Sequence, residues 1–334
     1  MSAHPTIGHY LLNRLYESGV HHIFGVPGDY ILRFYQQLSE SQLQHIGTTR
    51  EDTAAFAADG YARIRGLGAI AVTYGVGALN VVNAVAGAYA ESSPVIVISG
   101  APGISEQSED PLLHHRFGPF HFQREIFERI TCAVAVLEDP YTAFRQIDRV
   151  IAAARKHCKP VYIEIPRDQV EVSGYPIPDE IRPEFNNDQS SLNEAIEETL
   201  SLLQKAQAPV LIAGVELHRR GLQEQLLALV NKTQMQVAAT LTGKSVIGER
   251  HHCYLGIYEG AMGPANTRER VEQADFLLML GATLNDVDSG IFTARLDAKR
   301  LVRASQNEVI IHHHRYPSIS LRDFVETLHE RIEK

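Results

Sequence analysis

The sequence predicts an α/β protein made of two doubly wound domains, each built on a parallel sheet. Three observations carry this expectation. Short strand-like apolar runs alternate with helical patterns along the whole chain, as repeated β-α units require. Glycine-bearing turns follow several of those runs, and a stretch rich in proline and asparagine divides the chain into two parts of domain size. At 334 residues the chain suits two domains, given the usual size of roughly 100–200 residues each.

In the first part, Ile7, Leu11 and Leu15 recur at helical spacing, with Thr6 as the expected N-cap and Gly19 as the stop. His22 to Val26 reads as a strand, followed by the turn Pro27-Gly28-Asp29 and a helix over Tyr30 to Leu38. Ala69 to Tyr74 repeats the pattern, with Gly75-Val76-Gly77 as the turn and the small-residue stretch Ala78 to Ala90 as one closely packed helix. Pro94 to Ser99 and Pro160 to Ile165 are further strands, the second preceded by a helix over Thr142 to Lys156. Pro176, Pro178 and Pro183 mark a linker over residues 172–190.

The second part repeats the alternation. Helices are expected over Ser191 to Ala206, Leu222 to Lys232 and Asn266 to Gln273. Strands are expected over Val210 to Gly214, Val237 to Leu241, Phe276 to Gly281 and Glu308 to His312. Leu321, Phe324, Val325, Leu328 and Ile332 share one face of a final amphipathic helix.

Composition sets limits on function. A hydrophobic content of 44% and a charged content of 21% are globular values. The net charge of -9 argues against nucleic acid, which demands a basic surface. Cys132, Cys158 and Cys253 are odd in number and far apart, which suggests no disulfide framework and fits a reducing cytoplasm. Residues 1–10 lack the basic start and apolar run of a secretory signal. No apolar run approaches the roughly 20 residues of a membrane span.

Several patterns admit a chemical reading beside a plainer one. The glycine turns at residues 25–29 and 75–77 lie where open α/β sheets bind ligands, but they match neither a P-loop nor a complete dinucleotide fingerprint, so ordinary turn architecture accounts for each taken alone. Glu51 opens a helical pattern, a position that a capping carboxylate commonly fills. His114 and His115 lie in an irregular stretch with His121 close behind; adjacent histidines chelate metals poorly, yet they suit acid-base work near neutral pH. His251-His252 and His312-His313-His314 read as structural, the latter at a strand exit without carboxylate companions nearby, and no metal site is assigned. Neither G-x-S-x-G nor H-E-x-x-H occurs.

Together these pieces say more than each alone. GVPGD at 25–29, TREDTAAFAADGYAR at 49–63, TYGVGALN at 73–80 and AGAYAESSPVIVISGAP at 86–102 resemble, in order and spacing, the thiamine diphosphate enzymes. LLHHRFG at 112–118 is similar to the histidine pair of the pyruvate, indolepyruvate and phenylpyruvate decarboxylase branch. The resemblance implies a pyrimidine-binding domain over residues 1–171 and a Rossmann-like central domain over 191–334. The third, diphosphate-binding domain of that branch is expected to be absent, because its GDG magnesium motif does not occur.

By the same resemblance, Glu51, Asp29, His114 and His115 are the catalytic residues. Glu51 would share a proton with the aminopyrimidine ring, and Asp29 with the histidines would manage later proton transfers. Pro27, Gly28, Thr73, Gly75, Val76, Gly77 and Asn83, with Glu51, would bind the cofactor at its pyrimidine end only, magnesium being expected on a partner that carries the diphosphate domain. The expected function is a split or fragmentary 2-oxo acid decarboxylase with a small 2-oxo acid substrate, assembled as a homodimer or higher oligomer through its pyrimidine domains. The alternatives are a carboligase of the acetolactate synthase kind and a non-catalytic assembly module.

Overall fold

Thr6 starts the first helix, α1 (Ile7–Glu17), by accepting a hydrogen bond from His9 N at 3.3 Å. The structure, a computed structural model, describes residues 4–175 and 188–332. The chain divides into two units, Met1–Arg182 and Pro183–Lys334. Most of the expected linker lies outside the described residues.

In the first unit α1 leads to β1 (His22–Gly25), α2 (Leu32–Ser39), β2 (Gln44–Gly47), α3 (Glu51–Arg65) and β3 (Gly68–Val72). Next come α4 (Val76–Asn80), α5 (Val82–Ala90), β4 (Val95–Ala101), α6 (Ile104–Ser108), α7 (Phe122–Ile130), β5 (Val134–Val136), α8 (Ala143–His157) and β6 (Val161–Pro166). The six strands form one parallel sheet in the order β2-β1-β3-β4-β6-β5.

Alternate residues of each central strand enter different cores. Ala69, Ala71, Ile96, Ile98, Ile163 and Ile165 pack with Leu11, Phe34 and Phe144 of α1, α2 and α8. Ile70, Val72, Val97 and Tyr162 pack instead with Ala58, Ala88 and Phe127 of α3, α5 and α7. Both faces of the sheet are therefore covered, which is why its strands read as unbroken apolar runs. The chain leaves β1 toward β2 on one side and leaves β3 toward β4 on the other. The carboxyl ends of β1 and β3 thus flank the point where connections diverge, the place where such sheets open a crevice for ligands.

The stretch Ala78 to Ala90 is two helices rather than one. Val81 N bonds to Ala78 O, a tight three-residue step that closes α4 before α5 begins.

The second unit contains α9 (Gln189–Leu203), β7 (Pro209–Ala213), α10 (Val215–Arg219), α11 (Gln223–Thr233), β8 (Gln236–Ala239) and β9 (Tyr254–Ile257). It continues with α12 (Ala265–Gln273), β10 (Phe276–Leu280), β11 (Leu301–Ser305), β12 (Glu308–Ile311), β13 (His314–Pro317) and α13 (Leu321–Arg331). The sheet order is β13-β12-β11-β10-β7-β8-β9. Five of these strands are parallel, but β12 and β13 run antiparallel to their neighbours, so the sheet is mostly rather than wholly parallel.

The local reason is loop length. Ser305 pairs with Glu308 and Ile311 with His314, which leaves two-residue turns where a parallel crossover would need about a dozen residues. His312, at φ 54, and His313 form the second turn. The histidine run is therefore a hairpin, and it has a carboxylate neighbour after all: His314 Nδ1 lies 3.2 Å from Glu198 Oε2.

Among the described residues no helix is long and apolar enough to cross a membrane. None of Cys132, Cys158 and Cys253 forms a disulfide among the described residues.

Candidate active site

Glu51 stands at the first turn of α3, where a carboxylate can interact favourably with the helix's positive end. Its neighbour takes the local bonds instead: Asp52 Oδ1 accepts from Thr53 N at 2.8 Å, and Arg50 grips the same carboxylate at 3.1 and 3.0 Å. Arg50 in consequence holds the Asp52 carboxyl below its ordinary range. Glu51 is turned the other way, and its Oε2 accepts from Asn80 Nδ2 at 2.8 Å. Oε1 has no hydrogen-bond partner among the described residues. Asp52 thus takes the local bonds of the helix start, where Arg50 is the N-cap and makes no side-chain cap bond, and Glu51 is left with an oxygen to offer a ligand.

The turns beyond β1 and β3 close around this carboxylate. A Cβ on Gly77 would stand 2.8 Å from Thr73 Cγ2 and 3.6 Å from Glu51 Oε1. Gly28 packs as tightly on Thr73, where a Cβ would come within 2.6 Å of the threonine Cβ. Thr73 Oγ1 also accepts from Tyr30 N at 3.3 Å. Pro27 and Val76 are exposed at the rim.

The histidine loop sits over the same place. His114 Nε2 lies 3.0 Å from Asp29 Oδ2, and the His114 ring stacks on buried Tyr30 with centroids 5.0 Å apart. The Tyr30 hydroxyl donates to His114 O at 3.0 Å, and burial, above all else, pushes that phenol up from its usual range. His115 has φ 66, a left-handed conformation uncommon outside glycine and a frequent mark of functional loops. Gly75, at φ 71, faces it so closely that a Cβ would be 2.4 Å from His115 O. Glycine is required there twice, for its backbone angle and for the approach.

The structure therefore brings together Pro27, Gly28, Asp29, Glu51, Thr73, Gly75, Val76, Gly77, His114 and His115, which lie far apart in the sequence. Asn83, exposed on α5, makes no hydrogen bond to this cluster among the described residues. Asn80 is the asparagine that meets Glu51, and its signal was present as the last residue of TYGVGALN. Tyr30 and Gln123 also belong to the cluster; Gln123 Oε1 accepts from Gly75 N at 2.6 Å, a contact that no local pattern announces. Beside the histidine loop, Arg116, His121, Arg124, Glu138 and Glu164 line a cavity of about 800 Å³.

Elsewhere, potential ligand atoms of His251, His252 and Cys253 come within 4.8 Å of one another. Both His251 nitrogens are already engaged, Nε2 with Asn231 and Nδ1 with Cys253 N, and the two rings are stacked.

The site is therefore a carboxylate anchored by an asparagine at the switch point of a parallel sheet, ringed by glycine turns. Residues 5–126 match the thiamine pyrophosphate enzyme N-terminal TPP binding domain, and residues 196–330 match the central domain of the same enzymes. The chain belongs to the thiamine pyrophosphate enzyme family. It is 39% identical over 324 residues to the indole-3-pyruvate decarboxylase of Azospirillum brasilense, covering 96% of this chain and 59% of that protein. It is 35% identical to pyruvate decarboxylase 2 of Nicotiana tabacum, covering 98% and 55% respectively. For pyruvate decarboxylase 3 of Arabidopsis thaliana the identity is 36%, covering 93% and 54%. The chain thus spans between half and two thirds of the length of these decarboxylases.

The residues around Glu51 fit a bound cofactor of this family. Glu51 presents an oxygen with no protein partner among the described residues, and the glycine turns leave backbone bare around it.

Proposed function

We propose that this chain supplies the proton-handling part of a thiamine diphosphate-dependent 2-oxo acid decarboxylase. The cofactor's diphosphate and its magnesium would be held by a domain outside residues 1–334, on a longer chain or a partner. The observation that carries this is the posture of Glu51, fixed through Oε2 by Asn80 and open at Oε1, together with Asp29 and His114, paired with each other at 3.0 Å. When bound, the cofactor provides the electron sink for loss of carbon dioxide.

Glu51 would hold a proton at a pyrimidine nitrogen through Oε1 while Asn80 prevents it from swinging away. Pro27, Gly28, Thr73 and the turn Gly75–Gly77 would wall the ring. His114 and Asp29 would share a proton and deliver it after decarboxylation, as groups within hydrogen-bond reach can; His115 would approach from the same loop. Decarboxylation is preferred to carboligation because the similar proteins are named as decarboxylases and the histidine pair is present.

For assembly we propose a homodimer through α3 and α5. Phe56 and Ile64 are 52% and 78% exposed, eight residues apart on one face of α3, with Gly60 between them and open space where its Cβ would be. An exposed apolar face of this kind suits a self-complementary interface. Three cysteines outside any disulfide fit a reducing cytoplasm.

The test is carbon dioxide release from pyruvate, phenylpyruvate and branched 2-oxo acids by the chain with thiamine diphosphate and magnesium, alone and with a diphosphate-domain chain. Turnover in the mixture that is lost in Glu51→Gln supports the proposal. Turnover that survives Glu51→Gln, or none with any diphosphate-domain chain, overturns it.

A further inference from the structure

Between β4, β6 and α7 lies a set of buried polar groups with no place in the chemistry above. Gln123 and Ser99 are fully buried, as is Tyr162, and Glu164 is 6% exposed. They form one directed chain of hydrogen bonds. Gly75 N–H donates to Gln123 Oε1 at 2.6 Å. Gln123 Nε2 donates to the Tyr162 hydroxyl at 2.6 Å and to Ser99 Oγ at 2.8 Å. The Tyr162 hydroxyl donates to Glu164 Oε2 at 2.6 Å. Glu164 Oε1 has no partner among the described residues, and the residue lines the cavity of about 800 Å³ beside the histidine loop.

The direction of each bond is forced. Gly75 N can only donate, so the amide oxygen of Gln123 faces it and the amide nitrogen faces Tyr162. Tyr162 must then use its single proton on Glu164. An ionised carboxylate accepts only, and a charge-assisted bond at the end of such a chain strengthens the links behind it.

We infer that Glu164 is a positioning residue for the candidate active site, holding the Gly75 turn in place through Tyr162 and Gln123 and loosening that hold when a proton reaches it from the cavity. The turn matters because it joins two parts of the site: Gly75 abuts His115 O, and Gly77 abuts Glu51. Protonation on Oε1 would convert the terminal bond from ionic to neutral and weaken the grip on the turn.

The surroundings are consistent with a group that titrates near neutrality. Burial pushes Glu164 up to about 7, opposed by the Tyr162 hydrogen bond and by Arg124 on α7, and reinforced by Glu138 beyond β5. Arg116, His121 and Asp110 face the same cavity from the histidine loop, and buried Tyr74 lies within the field of Glu164. At the far end the turn is faced by His115, with Glu51 across Gly77 and the Asp29–His114 pair beyond.

The test tracks backbone amides of the full chain, labelled with 15N-glycine, between about pH 5 and pH 9. The Gly75 amide should titrate, keep its titration when His114 and His115 are both changed to Gln, and lose it in Glu164→Gln. Tyr162→Phe keeps the carboxyl but cuts the link, so Gly75 should fall silent there while a 13C-labelled Glu164 still titrates; this variant decides the matter should Glu164→Gln fail to fold. A Gly75 amide that never titrates, or that titrates unchanged in Tyr162→Phe, overturns the inference.

The functional consequence rests on the reading proposed above, and its readout is separate. In the active mixture, Glu164→Gln should remove one limb of the pH profile of kcat/KM while leaving the others. A mixture with no turnover at all would sink the reading of the site and leave the amide titration to judge the coupling alone.

Discussion

Replacing Glu164 by Gln keeps the shape of the side chain and removes its charge, and the structure sets the size of the effect on stability. The folded protein raises this carboxyl from 4.5 to about 7, a difference of about 2.5, and each unit corresponds to about 1.4 kcal/mol. The sign depends on which state holds the proton. Below the unfolded value both states are protonated and the group costs nothing. As pH rises toward 7 the unfolded chain ionises first, so stability falls, and above the folded value the loss is complete at about 3 kcal/mol. Glutamine cannot ionise and can still accept from Tyr162. The variant should therefore match the parent near pH 4.5 and exceed it above pH 7 by up to about 3 kcal/mol. Urea unfolding of the full chain at acid and alkaline pH provides the assay, monitored through glycine amides of the first unit because the chain has no tryptophan. If parent and variant lose stability in parallel, within about 0.5 kcal/mol, from one pH to the other, the burial argument is refuted.

Other expectations concern the site and its neighbours. Gly75→Ala places a Cβ 2.4 Å from His115 O on a residue at φ 71; it should cost about 1–3 kcal/mol in unfolding free energy and shift the amides of the histidine loop. Asn80→Ala releases the half-buried Glu51 Oε2; melting should reveal a loss of about 1 kcal/mol, whereas decarboxylation in the mixture should drop about tenfold or more. Phe56→Glu puts a charge on the exposed apolar face of α3 and should shift sedimentation from dimer toward monomer while leaving the far-UV circular dichroism unchanged.

The parts of the fold legible in the sequence are those whose physics is local. Thr6 caps α1 by a bond that spans three residues, and Leu321, Phe324, Val325 and Leu328 all turn out buried on α13. What was missed depends on partners far along the chain. Gln44–Gly47 and Val134–Val136 are edge strands of four and three residues, too short to show a pattern. The antiparallel hairpins arise from two-residue turns on either side of Glu308–Ile311, a segment whose apolar pattern shows a strand but not its direction. At the site, sequence alone could not tell which of Glu51 and Asp52 bonds locally and which turns away from the helix start, because the difference lies in Asn80, 29 positions away. The Gln123–Tyr162–Glu164 chain spans strand and helix and leaves no periodic trace, since each member reads singly as a polar residue in an ordinary element.

The break between α4 and α5 gives the site a mechanical property. Asn80, which steadies Glu51, is the last residue of a helix only five residues long, and that helix begins at the very turn that Gln123 and His115 press upon. A rod about 7 Å long therefore joins the histidine loop at one end to the carboxylate at the other. Had Ala78 to Ala90 been a single continuous helix, the residue that steadies Glu51 would lie mid-helix; with the joint at Val81 it ends an element of its own, one turn away from the histidine loop and separate from α5.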